Sequence, residues 1–184
     1  GTLRGTMTRE VTDITTQMVE NQSTVVYIVE QSGTFRYNGA RLIASGVTIT
    51  GDLRVIYSAD EVVRASDLGQ ITMDMNLDVD LLGIPFPINL VTGTNLDLAT
   101  ITIATDYAPP KEYYDFPIAA GEYWNSSVTT DTSWSGSVYE NLFDLPADSS
   151  EQTTEMFGVT AVGNPGVQYS GCAVSLKSTA YNTT

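Results

Sequence analysis

Histidine is missing from the 184-residue chain, and cysteine occurs once, at Cys172. Without histidine there is no side chain that titrates unperturbed near neutral pH. There is also no imidazole base to activate a serine or cysteine, and the commonest zinc ligand is gone. A single cysteine forms no disulfide within the chain. Its setting, Gly171-Cys172-Ala173-Val174, offers no basic neighbour to activate the thiol and reads as a buried strand position. Lysine is nearly absent as well, so 22 acidic residues face 8 basic ones and the net charge is -14. A chain this negative repels phosphate backbones and anionic lipid headgroups, which excludes nucleic acid as an expected partner. No run approaches the roughly 18 apolar residues of a membrane-spanning helix. The most apolar stretch, Leu81 to Val91, is interrupted by Gly83, Pro85 and Pro87, and no transmembrane segment is expected. Phosphate-binding loops, dinucleotide fingerprints and nucleophile elbows are all lacking. Catalysis would have to run on carboxylates, as in glycosidases. Nothing marks such a pair among the 22 acids, so the chain reads as non-enzymatic and without a cofactor.

What the chain does have is a period of two. In Ile71-Thr72-Met73-Asp74-Met75-Asn76-Leu77-Asp78-Val79-Asp80-Leu81 every odd residue is apolar and every even one polar. That alternation predicts a strand about 35 Å long with one face on a core and the other in water. A second strand is predicted over Val47 to Tyr57, with Val47, Ile49, Leu53, Val55 and Tyr57 facing inward. A third, Leu96 to Ile103, changes phase, which predicts a bulge near Thr100. Ser32-Gly33, Asn38-Gly39 and Ser45-Gly46 are spaced like the turns of an antiparallel meander. Helical spacing is confined to Val11, Ile14 and Met18 and to Val62, Val63 and Leu68, where strands with a bulge would serve as well. The expectation is therefore one all-β domain over residues 1–184, with at most one or two short helices. Its long antiparallel strands would form a curved half-barrel or a sandwich, and the Pro109-Pro110 region at 108–112 is the one candidate internal boundary.

Three groups of residues are candidates for a function. Ile84, Phe86 and Ile88 belong to a loop that would expose them unless something covers them, which suits a cavity lip or a partner contact. The aromatics after Tyr107, among them Tyr114, Phe116 and Trp124, either fill a core or form a binding surface. Asp74, Asp78 and Asp80 share the wet face of one strand and could bind Ca²⁺ weakly, although the spacing fails as an EF-hand because positions six and twelve of that loop would be Val79 and Pro85. Glycosylation sequons occur at Asn21, Asn125 and Asn182. The stretch Thr2 to Val11, with Leu3, Met7 and Val11, is a candidate for a strand exchanged between copies.

The phrase Tyr114-Asp115-Phe116-Pro117-Ile118-Ala119-Ala120-Gly121-Glu122-Tyr123-Trp124 resembles one found in secreted bacterial and archaeal β-proteins. Together with the long strands it is similar to the lipoprotein-carrier, or β-clam, class, a curved sheet around an apolar cavity. The resemblance implies a carrier outside the cytoplasm that holds a lipid or another hydrophobic small molecule, with Ile84, Phe86, Ile88, Tyr114, Phe116 and Trp124 near the ligand. The composition suits two other roles. One is a structural subunit of a cell-surface assembly whose partners are copies of itself, joined by strand sharing. The other is an adhesive domain depending on carbohydrate or calcium. All three place the chain outside the cell or in its envelope.

Overall fold

The computed structural model describes residues 3–44, 46–112, 123–161 and 174–182. Eight strands follow one another: β1 (Arg4–Val19), β2 (Gln22–Ala44), β3 (Val47–Arg64), β4 (Gln70–Leu82), β5 (Asn95–Lys111), β6 (Tyr123–Val138), β7 (Ser149–Ala161) and β8 (Val174–Asn182). Each pairs antiparallel with its neighbour in the chain, giving a single meander in the order β1 to β8. Helical structure among the described residues is one short turn of α-helix, α1 (Asn89–Thr92), and a 3-10 turn at Tyr139–Asn141. The all-β class with long antiparallel strands is as the alternation predicts.

The sheet is open and uncurled, where a half-barrel or a sandwich was expected. The register explains why. Irregularities fall toward the two ends of the sheet. Val11/Asp13 in mid-β1 lines up with Val62/Val63 on β3 and Gln70/Thr72 on β4 toward one end. Tyr37/Ala40 on β2 and Val79/Asp80 on β4 lie toward the other. Between them, Val29–Arg36, Arg54–Glu61 and Met73–Val79 pair without a break. Bulges are what bend a sheet, and none crosses its middle.

Several expected elements take a different form. Val11, Ile14 and Met18 lie on β1, with Thr12 the extra residue of a bulge. The bulge shifts the phase by one, so Leu3, Met7, Val11, Ile14 and Met18 all lie on one face of the strand. Val62 and Val63 are strand residues too. Asn38-Gly39 does not end a strand. It is the bulge inside β2, with Gly39 at φ 72 and its N–H donating to Asp52 Oδ1 at 3.0 Å. Ser32-Gly33 lies in mid-strand, and Gly33 pairs with both Met7 and Tyr57. The phase change in β5 is real but sits at Leu98, since Val79 pairs with Ala99 and Asp80 with Asp97. Ala108 to Lys111 form the end of β5.

Turn chemistry closes the hairpins. Glu20 and Asn21, at φ 50 and 65, join β1 to β2 as a two-residue turn with both residues left-handed. Between β3 and β4, Arg64 N–H donates to the Gly69 carbonyl at 2.8 Å and Leu68 N–H to the Arg64 carbonyl at 2.9 Å. Asp67 Oδ1 accepts from Gly69 N–H at 3.0 Å and from Arg64 Nε at 2.8 Å. The hydrogen bonds and positive charge of Arg64 hold the Asp67 carboxyl below its usual range, against burial, which acts to raise it.

Candidate interaction surface

A one-layer sheet covers its apolar face only where something folds over it. At one end the segment after β4 does so. Ile84 N–H donates to the Thr94 carbonyl at 3.0 Å, and Ile84 packs with Ile49, Leu81, Leu96 and Leu98 in a buried cluster. Ile88, Tyr139 and Leu142 pack around that cluster. Ile84 is thus a core residue rather than an exposed cavity lip, because burying it spares the apolar area that an open loop would leave in water. Phe86 and Leu90, on the same segment, stay 75% and 74% exposed.

Val63, Trp124 and Val128, toward the other end of the same face, are buried as well. Across the middle, no segment among the described residues folds over the face. Successive pairings line up Met7, Gly33, Tyr57, Leu77, Ile101 and Gly136 in one transverse row. The next row holds Arg9, Gln31, Ala59, Met75, Ile103 and Trp134. Tyr57, Leu77, Met75, Ile103 and Trp134 are half-buried, and Ala59 and Ile101 between them are buried.

One polar network interrupts this face. Glu61 is 5% exposed, and its Oε2 accepts from Arg9 Nη2 at 2.7 Å and from Gln31 Nε2 at 2.9 Å. Tyr57 donates its hydroxyl to Gln31 Oε1 at 3.1 Å. Burial pushes the Tyr57 hydroxyl above its ordinary value and the Glu61 charge adds to this, while Arg9 pulls the other way. A buried carboxylate held by two donors is satisfied, so the network fixes β1, β2 and β3 in register.

The opposite face is polar and arranged in rows of like charge. Glu10 pairs with Glu30, Glu30 with Asp60, and Asp60 with Asp74, four carboxylates on four adjacent strands. Arg4 pairs with Arg36 and Arg36 with Arg54. Arg54 then meets Asp80, donating from Nε at 2.9 Å and Nη2 at 2.6 Å. Like charges directly opposite each other across strands are destabilising. Of the candidate metal ligands, Asp74, Asp78 and Asp80 do share this face, but Asp80 is taken by Arg54 and Asp74 lies in the acidic row. Among the described residues no group of three or more acids converges as metal ligands would.

The two edge strands of the sheet are β1 and β8, and among the described residues the apolar ones exposed along an edge lie on β1. Leu3, Met7, Val11, Ile14 and Met18 are between 52% and 70% exposed there, and the described strands pair with β1 on one side only. The stretch considered for exchange between copies, Thr2 to Val11, pairs from Arg4 onward with β2 of its own chain.

The predicted ligand residues are not brought together. Ile84 and Ile88 join the end cluster and Phe86 points away from it. Trp124 is buried on β6, outside that cluster. Tyr114, Phe116 and Cys172 lie outside the described residues, as does most of the phrase that carries the carrier resemblance. Asn21 is exposed in the first hairpin turn, Asn125 is exposed on β6, and Asn182 ends β8. The rows of charge and the Arg9–Glu61 pair were missed in sequence, since their members lie 14 to 52 residues apart. No helix among the described residues is long and apolar enough to cross a membrane, which says nothing of crossing by strands. Neither a family model, nor a curated protein, nor a solved structure matches the chain.

Proposed function

We propose that this chain is a non-enzymatic structural subunit of an assembly at the cell surface, joined to its neighbours through its open sheet. The observation that carries this reading is an edge strand, β1, that the described strands pair on one side only and that lines up Leu3, Met7, Val11, Ile14 and Met18 in exposed positions. A sheet with free N–H and C=O groups along an edge is a template for another strand. Apolar area of this extent in water favours association, at about 25 cal/mol for each Å² covered. Acidic polar rows and a net charge of -14 keep such a subunit soluble until it docks. The same acidity suits an extracellular or cell-envelope setting, where salt screens it.

The test is sedimentation velocity across a concentration series near physiological salt and without detergent. A ladder of oligomers that grows with concentration supports the reading. A single monomeric species up to the highest soluble concentration refutes it.

A second reading, the carrier for a lipid or another hydrophobic small molecule, is favoured by Phe86 and Leu90, which lie exposed beside the end cluster. Native mass spectrometry separates the two. A monomer bearing a lipid-sized adduct that disappears on denaturation points to the carrier, and ligand-free oligomers point to the assembly.

A further inference from the structure

We infer that β1 pairs with β1 of a second copy, antiparallel, about a two-fold axis through Met7. The inference rests on the assembly reading and specifies the partner and the register of its edge contact.

The regular part of the edge is short. The bulge at Thr12 ends it on one side, so the segment available for a continuous ladder is Leu3 to Val11, with Met7 at its centre. An axis perpendicular to the sheet keeps both apolar faces on the same side, so each residue must meet one of its own parity. An antiparallel ladder has such local axes between directly opposed residues. With Met7 opposite Met7 of the second copy, Leu3 meets Val11, Thr6 meets Thr8, and Arg4 meets Glu10. Every apolar residue of the segment then has an apolar neighbour. Both unlike charges on the polar face fall opposite each other, twice per dimer.

Within one chain these two residues are badly placed. Arg4 is directly opposite Arg36, and Glu10 is directly opposite Glu30, which begins the acidic row. Among the described residues neither forms an ion pair with an opposite charge. The second copy supplies the missing partner on the open side of each. Arg9, on the other face, stays engaged with Glu61 at 2.7 Å and pairs across the axis with Gly5, which has no side chain to contest the space.

Charge reversal tests the register. Arg4→Glu and Glu10→Arg each set like charges against each other in both symmetry-related pairs, which should weaken dimerisation by roughly tenfold or more. Each also places the new charge beside an opposite one on β2, so a loss of dimer cannot be laid to a loss of fold. The double variant Arg4→Glu/Glu10→Arg exchanges the charges and should restore the affinity. The axis is tested by cross-linking in a Cys172→Ala background. Directly opposed Cα atoms lie about 4.5–5.5 Å apart, within the 4.4–6.8 Å that a disulfide spans. Met7→Cys should therefore link two copies under mild oxidation. Val11→Cys, equally exposed, should not, because its own symmetry mate would lie about 27 Å along the strand. If the copies associate but Met7→Cys fails to link, or the charge swap restores nothing, this register is wrong and the assembly reading stands. If they do not associate at any concentration, both fall.

Discussion

Leu81 and Leu77 lie four residues apart on the same face of β4, and their truncation should cost very different amounts. Leu81 is 1% exposed and belongs to the cluster that the segment after β4 covers. Leu77 is half-buried in the open middle of the face, between Tyr57 and Ile101. Leu→Ala removes three carbons, worth roughly 2.4 kcal/mol in transfer alone when the site is fully buried. A cavity term adds to this at a packed site, so Leu81→Ala should cost about 3–4 kcal/mol. At Leu77 about half of the transfer energy is at stake and water fills the gap, so the cost should be about 1 kcal/mol. The assay is equilibrium urea unfolding followed by the fluorescence of Trp124 and Trp134, at a dilution where sedimentation shows monomer. Equal large losses would mean that the chain covers its own mid-face, and the case for an open face collapses. Equal small losses would mean that the end cluster is no core. At concentrations where copies associate, Leu77→Ala should become the costlier of the two for assembly if the mid-face is buried there.

Removing Arg9 as Arg9→Ala leaves the buried Glu61 carboxylate with Gln31 as its remaining donor, and should cost about 1–3 kcal/mol, read as a lowered urea midpoint. Arg9→Ala/Glu61→Gln should recover part of that, because the orphaned charge is gone. Asp67 has a folded carboxyl below its ordinary value of 3.8, so its stabilisation is present above about pH 4 and lost as pH falls through the lower folded value. Asp67→Asn should flatten that acid limb of the stability curve, and an unchanged limb would place acid sensitivity elsewhere. Gly136 holds φ 142, and a Cβ there would run into the Thr100 carbonyl oxygen. Gly136→Ala should therefore cost about 1–3 kcal/mol and lower the melting temperature by several degrees.

How much of this could be read without coordinates depends on the distance over which each signal acts. Alternation acts between adjacent residues, so β4 was legible from Met73 to Leu81, and so was most of the inward set of β3. Ile71, however, falls in a register break, and Val47 is left 48% exposed. Bulges are half legible. The phase slip in Leu96 to Ile103 is visible, but its position at Leu98 is fixed by the partner strand, through Val79 on Ala99 and Asp80 on Asp97. Asn38-Gly39 has the left-handed preference of a hairpin turn, and the same preference serves a bulge, so local chemistry cannot tell which it makes. The burial of Ile84 depends on the segment folding back to Thr94, and its sequence of Gly, Pro and apolar residues reads equally well as an open loop. Register is what sequence hides. Glu10, Glu30, Asp60 and Asp74 are unremarkable acids until three independent pairings set them in one line.

That line decides how association should depend on salt. Two copies carry -14 each, so their long-range repulsion is large at low ionic strength, where the Debye length is about 30 Å at 0.01 M. At 0.15 M it falls to about 8 Å, and the repulsion between whole molecules is mostly screened. The Arg4–Glu10 pairs across the axis act at contact distance, inside that length, and lose far less. The apolar contacts of Leu3, Met7 and Val11 lose nothing and are strengthened by salting-out anions. Dimerisation should therefore strengthen as salt rises from 0.01 M to 0.15 M. In sulfate it should strengthen further, while in the same range Arg4→Glu should stay weak because its like charges remain in contact. Sedimentation equilibrium across the salt series reads this directly. Affinity that falls steadily from the lowest salt would mean that charge attraction drives the contact, and the apolar edge would no longer be its basis.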